Sequence, residues 1–180
     1  MVSLETERLL LRPFREEDYL DLYEYAKTDL VGPRAGWMPH KSVEESKEIV
    51  KMLMVDGSFA VVLKSENKLI GSIAVHNRVP KGVIKEDGQM EVGYCLNPSY
   101  WGKGYMPEAV KEIIRYSFIE LRLNILWIAH TIDNTNSQRV IEKSGFNYRF
   151  TGEDVFIRLN NKKVINKCYS ITREEYLNFM

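Results

Sequence analysis

The stretch Asn97-Pro98-Ser99-Tyr100-Trp101-Gly102-Lys103-Gly104-Tyr105-Met106-Pro107-Glu108-Ala109-Val110 decides how this chain is read. It joins a short strand pattern over Met90–Leu96 to a helix pattern that runs to about Leu121. At the junction, Gly102 and Gly104 let the backbone turn sharply and bring its N–H groups close to a ligand with no Cβ in the way. The helix starts directly afterwards, so its unpaired N–H groups and the positive end of its dipole face the same spot. Strand, glycine loop and helix N-terminus in this order predict an anion site, most often for phosphate. Two nucleotide motifs fail here. Pro107 stands where the dinucleotide fingerprint needs its third glycine, and Lys103 precedes Gly104 where the P-loop needs Gly-Lys followed by Ser or Thr. Taken alone, a Gly-x-Gly turn reads more simply as a helix cap that binds nothing.

The rest of the composition narrows the class. With 180 residues the chain suits one domain over residues 1–180 with a substantial core, and 44% hydrophobic and 28% charged content is that of a soluble globular protein. Its 25 basic and 25 acidic side chains cancel, which argues against a general nucleic-acid or membrane-surface partner. No N-terminal apolar core resembles a signal peptide, and no apolar run approaches membrane-spanning length. Two cysteines, Cys95 and Cys168, fit a reducing cytoplasm better than a disulfide framework. The histidines His40, His76 and His130 lack metal-ligand spacing, so no metal is expected.

In chain order, Leu9-Leu10-Leu11 predicts a strand stopped by Pro13, and Arg15-Glu16-Glu17-Asp18 opens a helix with acids in its first turn. A Gly/Pro-rich loop from Val31 to His40 follows. Ser42 and Glu45 have the spacing of a capping box for a second helix, ending near Asp56-Gly57. Ser58–Lys64 and Lys68–His76 read as a hairpin turning at Ser65-Glu66-Asn67. Residues 78–88 have the composition of a mobile loop. After the glycine loop, Val110, Ile113, Ile114, Ser117, Phe118 and Leu121 share one helix face. Asn124–Ala129 is apolar on both faces, as a central parallel strand requires. A helix over Ser137–Lys143 closes at Gly145. Strands over about Phe146–Arg158 and Lys163–Ile171 turn at Leu159-Asn160-Asn161. The expected order is βααβββαβαββ.

A second motif follows the central strand: Asn134-Thr135-Asn136-Ser137, then Glu142-Lys143-Ser144-Gly145-Phe146. It resembles the Asn-x-x-Ser…Glu-Lys-x-Gly-Phe stretch of the GNAT N-acetyltransferase superfamily, in its Rim-like ribosomal-protein branch. The glycine loop is similar to that family's Gln/Arg-x-x-Gly-x-Gly/Ala motif with Gly104 at the central glycine, and Glu5-Thr6-Glu7-Arg8-Leu9-Leu10-Leu11-Arg12-Pro13 matches the same branch. The resemblance implies an α/β fold with a central mixed sheet, flanked by helices and splayed between its fourth and fifth strands. It implies acetyl-CoA as donor, its pyrophosphate on the loop formed by Trp101, Gly102, Lys103, Gly104, Tyr105 and Met106. The pantetheine arm would pair with backbone at Cys95-Leu96, Asn134 would hydrogen-bond that arm, and Ser137 would sit near the sulfur. Trp101 departs from the usual Gln or Arg, Met106 from the final small residue. Ile141 stands where many members carry the tyrosine that protonates the leaving thiolate, which leaves that task to Ser137 or water.

Glu91, on the splayed strand, is the candidate general base; a strand-edge carboxylate in a salt bridge is an equal reading. Cys95 reads as a buried small residue, because neither His nor acid is spaced to activate it. The loops 31–42 and 78–88 are expected to border the acceptor pocket, with Trp37 as an aromatic wall. His40 either lines that pocket or is an ordinary loop histidine, with the second reading ahead. Tyr94, Tyr100 and Tyr105 read as packing residues. The implied reaction is direct acetyl transfer to a neutral amine. An α-amine ionises near roughly 7.7–8.0 and a lysine near about 10.4, so a site with one candidate base suits a protein N-terminus better than a lysine or polyamine. A small-molecule acceptor and a non-catalytic acyl-CoA-binding module are the alternatives, and a homodimer is left open.

Overall fold

A computed structural model describes residues 2–178 of the chain. The strands are β1 (Leu4–Glu5), β2 (Leu9–Arg12), β3 (Ser58–Leu63), β4 (Lys68–His76), β5 (Gln89–Leu96), β6 (Ile125–Thr131), β7 (Asn147–Phe156) and β8 (Lys162–Thr172). The helices are α1 (Tyr19–Ala26), α2 (Gly32–Ala35), α3 (Val43–Leu53), α4 (Tyr105–Ile119), α5 (Thr135–Lys143) and α6 (Arg173–Asn178). Among the described residues, all eight strands form one mixed sheet in the order β1-β2-β3-β4-β5-β6-β8-β7, parallel only between β5 and β6. The extra strand β1 makes these two the fifth and sixth rather than the fourth and fifth.

Both faces of the left half are covered, and the sequence shows why. Every residue of β3 is buried. Phe59, Val61 and Leu63 join Leu9 and Leu11 against α4, while Ala60 and Val62 pack with Leu22, Tyr25 and Val50 from α1 and α3. On α4, Val110, Ile113, Ile114, Ser117 and Phe118 are buried as their spacing predicts. Leu121 lies past the helix end and is more exposed, because the helix stops at Ile119. Removing a fully buried side chain such as Ile113 costs about 2–5 kcal/mol on truncation to Ala.

Four local expectations change. The loop from Val31 contains the short helix α2, with Pro33 in its first turn and Gly36 ending it at φ 89°. Helix α3 stops at Leu53, because Gly57 is already committed to β4 through the Val75 N–H to Gly57 carbonyl bond of 2.8 Å. Ser42 caps α3, but Glu45 reaches back to the N–H of Lys41 rather than to that of Ser42. Glu16–Asp18 form a 3₁₀ turn, in which Asp18 pairs with both terminal nitrogens of Arg12 at 2.7 Å instead of serving the helix dipole alone.

Candidate active site

Strands β5 and β6 are paired only over Gln89–Val92 and Ile125–Ile128. Beyond that, β5 continues against β4 alone and β6 against β8 alone, so the two part company. The N-terminus of α4 and the N-terminus of α5 both open towards this split. A cavity of about 1230 Å³ runs through it from the glycine loop to the far face of the sheet.

The register decides which backbone groups face the split. In an antiparallel ladder, successive residues turn their N–H and C=O alternately to one side and the other. The Asn97 N–H bonds the Ile70 carbonyl at 2.8 Å, which fixes the phase. Cys95, opposite Ser72, therefore turns to β4, whereas Tyr94 and Leu96 turn to the split. This corrects the expectation that a pantetheine arm pairs at Cys95-Leu96. Leu96 offers only its N–H, because its carbonyl accepts the indole N–H of Trp101 at 2.8 Å.

The loop that follows has the expected form. Gly102 (φ 75°) and Gly104 (φ 81°) are both left-handed, and no side chain caps α4, whose N-cap is Gly104. The Tyr105 and Met106 N–H groups are thus left for a ligand, while Pro107 has no N–H to satisfy. Met106, which stands where the family motif has a small residue, buries its side chain in the core beneath the loop. Arg8, immediately before β2, braces the loop. Its Nη1 donates to the Lys103 carbonyl at 3.0 Å, its Nε to Glu108 at 2.7 Å, and its guanidinium lies 4.5 Å over the Tyr105 ring. The Lys103 ammonium lies over the Tyr100 ring at 5.1 Å.

On α5, Asn134 caps the helix by accepting the Ser137 N–H at 3.2 Å. Its carbonyl oxygen is therefore spent, and its amide NH₂ is what a ligand could use. Ser137 Oγ lies 2.8 Å from the phenol oxygen of Tyr94. Ile141 is fully buried.

Alternation along β5 puts Glu91, Gly93 and Cys95 on the other face of the sheet, where Ser72, Ala74, Ala129 and Cys168 complete a floor of small residues. Glu91 lies in the paired part of β5, opposite Trp127 and just short of the split, not within it. Its side chain is 11% exposed and bonds the Arg78 Nε at 2.6 Å. Burial raises the proton affinity of the Glu91 carboxyl, and the Arg78 pair offsets only part of that rise. The salt bridge is therefore present, and it leaves the carboxyl with a raised proton affinity. Burial also pushes the Cys95 thiol up to about 11, despite hydrogen bonds from Trp37 and Ser72, so it stays a neutral thiol.

Both expected loops border this face, with Trp37 and Met38 on one side and Arg78 and Lys81 on the other. Gly36 packs so closely on the Phe156 ring that a Cβ there would lie 3.1 Å away, which draws α2 towards β7. His40 touches the cavity but serves the scaffold. Its Nδ1 is 2.8 Å from Ser46 Oγ on α3, its N–H bonds the Ala26 carbonyl at 3.0 Å, and its ring packs against Trp37. Burial lowers its proton affinity. Three residues of the site escaped the sequence reading. Arg8 and Arg78 carry no periodic signal, whereas Tyr94 reads in the sequence as a packing residue.

Comparison with known proteins bears on this geometry directly. The family model described as an acetyltransferase (GNAT) domain matches residues 8–147. This chain is a GNAT acetyltransferase. It is 31% identical over 148 residues to the uncharacterized N-acetyltransferase YnaD of Bacillus subtilis (strain 168), covering 80% of this chain and 82% of that one. It is 27% identical over 182 residues to the uncharacterized N-acetyltransferase p20 of Bacillus licheniformis, with 98% and 99% covered. The crystal structure of a GNAT-family acetyltransferase from Bacillus anthracis superposes with TM-score 0.83 at 29% identity, covering 97% of this chain and 100% of the other. The GNAT enzyme described here therefore uses acetyl-CoA to acylate an amine, as its family does. Its glycine loop fits an acyl-CoA pyrophosphate, since Gly102 leaves open space where a Cβ would stand. Among the described residues, no helix is long and apolar enough to cross a membrane.

Proposed function

We propose that this acetyltransferase modifies a primary α-amine at the N-terminus of a protein or peptide. The observation that carries this reading is Glu91: a buried carboxylate of raised proton affinity, on the open face of the sheet beside the split. Such a base is better matched to an α-amine near roughly 7.7–8.0 than to a lysine near about 10.4, a difference of about 3 kcal/mol in reaching the neutral amine. The cavity, at about 1230 Å³, has room for the acyl arm and for the first residues of a peptide. In this reading the Tyr105 and Met106 N–H groups hold the pyrophosphate, and Tyr94 and Leu96 backbone groups hold the arm. Asn134 steadies the arm, Ser137 faces the departing sulfur, and Glu91 takes the amine proton. Trp37 walls the acceptor, with His40 behind it.

The Gly36–Phe156 contact, which narrows the acceptor side, favours a second reading with a small-molecule amine. Proteins that share the fold include both kinds. Among them are a ribosomal-protein-S5-alanine acetyltransferase of Vibrio fischeri (TM-score 0.73, 24% identity) and a spermidine N-acetyltransferase of Vibrio cholerae in complex with CoA and spermine (TM-score 0.74, 20% identity). A panel separates the readings: free-N-terminus peptides, the same peptides N-blocked but carrying lysine, single amino acids and polyamines, followed by thiol release and mass spectrometry. Acetylation of the free α-amine of peptides is expected. Turnover of polyamines or free amino acids alone would replace this reading with the small-molecule one.

A further inference from the structure

Tyr94 and Ser137 meet inside the split. Tyr94 belongs to the part of β5 that has left β6, on the face opposite Glu91, and Ser137 belongs to the first turn of α5. The phenol oxygen is 2.8 Å from Ser137 Oγ and 3.2 Å from the Ser137 carbonyl oxygen, and both residues line the cavity. The serine is thus held from two sides, its N–H by Asn134 and its hydroxyl by Tyr94. One turn later Ile141, fully buried, brings no polar group to the split.

We propose that Tyr94 is a positioning residue: it donates its phenol hydrogen to Ser137 Oγ, so that the serine hydroxyl hydrogen is left to point at the sulfur of the departing coenzyme A. This rests on the reading above that Ser137 faces that sulfur. The amine nitrogen bonds to the acetyl carbon, and as the C–S bond then breaks its electron pair stays on sulfur, where the Ser137 O–H hydrogen bond stabilises the thiolate. The proton that the amine gives up passes through Glu91 to solvent, and the thiolate later takes one from solvent, so the reaction balances with no proton drawn from the tyrosine. Burial holds the Tyr94 phenol well above its ordinary range, which makes a phenolate there unfavourable and leaves Tyr94 a donor rather than an acid. A cysteine thiol ionises near about 8.5, and the thiol of coenzyme A, with no peptide groups flanking its carbon, ionises higher, so one well-aimed hydrogen bond is a substantial part of what its departure near neutral pH requires.

The test needs no amine. Proton release on binding CoA, compared with desulfo-CoA, is followed by calorimetry between about pH 7 and 9 to obtain the ionisation of the bound thiol. In the parent protein it should fall below that of free CoA measured under the same conditions. Tyr94→Phe and Ser137→Ala should each raise it, and the double variant should go no further than Ser137→Ala alone, since one residue acts through the other. With whatever amine is turned over, Tyr94→Phe should lower kcat roughly three- to tenfold at unchanged KM for acetyl-CoA. If Tyr94→Phe leaves the bound thiol where the parent has it, or adds its full effect to that of Ser137→Ala, Tyr94 is only packing. Should Tyr94→Phe fold poorly, 3-fluorotyrosine at position 94 keeps the shape and strengthens the donor; the bound thiol must then ionise lower, and no change overturns the proposal. A Ser137→Ala protein with the parental thiol ionisation would instead remove Ser137 from the sulfur. Failure of peptide acetylation touches the acceptor alone.

Discussion

The indole N–H of Trp101 donates to the carbonyl oxygen of Leu96 at 2.8 Å, tying the glycine loop back onto the free end of β5. The residue that departs from the usual Gln or Arg thus braces the phosphate site. Trp101→Phe keeps the ring and removes the donor. Because one hydrogen bond contributes about 1 kcal/mol, KM for acetyl-CoA should rise by roughly three- to tenfold with kcat little changed. Steady-state kinetics with the acyl donor varied would show it; an unchanged KM would mean that the loop holds its shape without the brace.

Gly104 sits at φ 81°, a conformation that Asp tolerates better than most residues with a side chain. Gly104→Asp should therefore fold, yet it places a carboxylate at the mouth of the phosphate loop. Acetyl-CoA should raise the melting temperature of the parent by mass action and leave that of the variant unmoved. A full shift in the variant would place the pyrophosphate elsewhere.

How far the sequence discloses this depends on how local each signal is. The α4 face from Val110 to Phe118, the Ser42 cap and the turn at Asn67 (φ 46°) all follow from spacing or from residues that favour the required backbone. Thr172 and Glu175 also carry capping-box spacing, and the Thr172 hydroxyl accepts the Glu175 N–H at 3.1 Å. A helix of six residues gives too little periodicity to be seen beside a strand. The Arg78–Glu91 pair and the Trp101–Leu96 bond join groups whose approach is set by tertiary packing, which no window of sequence contains. The side of β5 that faces the split is set by its ladder with β4, which runs from Gly71 opposite Leu96 to His76 opposite Glu91 and continues into the Asn97–Ile70 bond.

The charge state of Glu91 gives a pH-dependent expectation. Burial raises its proton affinity, so the basic form is lost, as pH falls, at values above the ordinary glutamate near about 4.3. Below that point the fall of kcat/KM should steepen, because the amine and its base are then both protonated. Glu91→Gln should lower kcat on the order of a hundred- to ten-thousand-fold near neutral pH, with partial recovery at high pH where more amine is already neutral. Arg78 opposes the effect of burial, so Arg78→Ala should move the steepening to higher pH and Arg78→Lys should move it less. Parental kcat in Glu91→Gln would remove it from the mechanism.

Trp37 reaches over the small-residue floor to the Cys95 thiol. Trp37→Ala should raise KM for the amine by roughly ten- to two-hundredfold while acetyl-CoA affinity holds, the equivalent of the about 1–3 kcal/mol expected of a pocket contact. Equal losses for both substrates would point to a general loss of stability, which a lowered melting temperature would register.

Because β8, and not β7, lies against β6, the ribosome cannot deliver the sheet in the order in which it closes. Once Thr131 has emerged, one edge of β6 has no partner, and the next strand to appear does not fit it. That edge waits until Thr172 has been made, roughly two to eight seconds at about 5–20 residues per second. During the wait the nascent chain offers the unpaired backbone N–H and C=O groups of Leu126 to Ile128, flanked by apolar side chains, as an open template for another strand. Premature termination after β7 would make that interval permanent, and such a fragment should aggregate although every residue of its glycine loop is present.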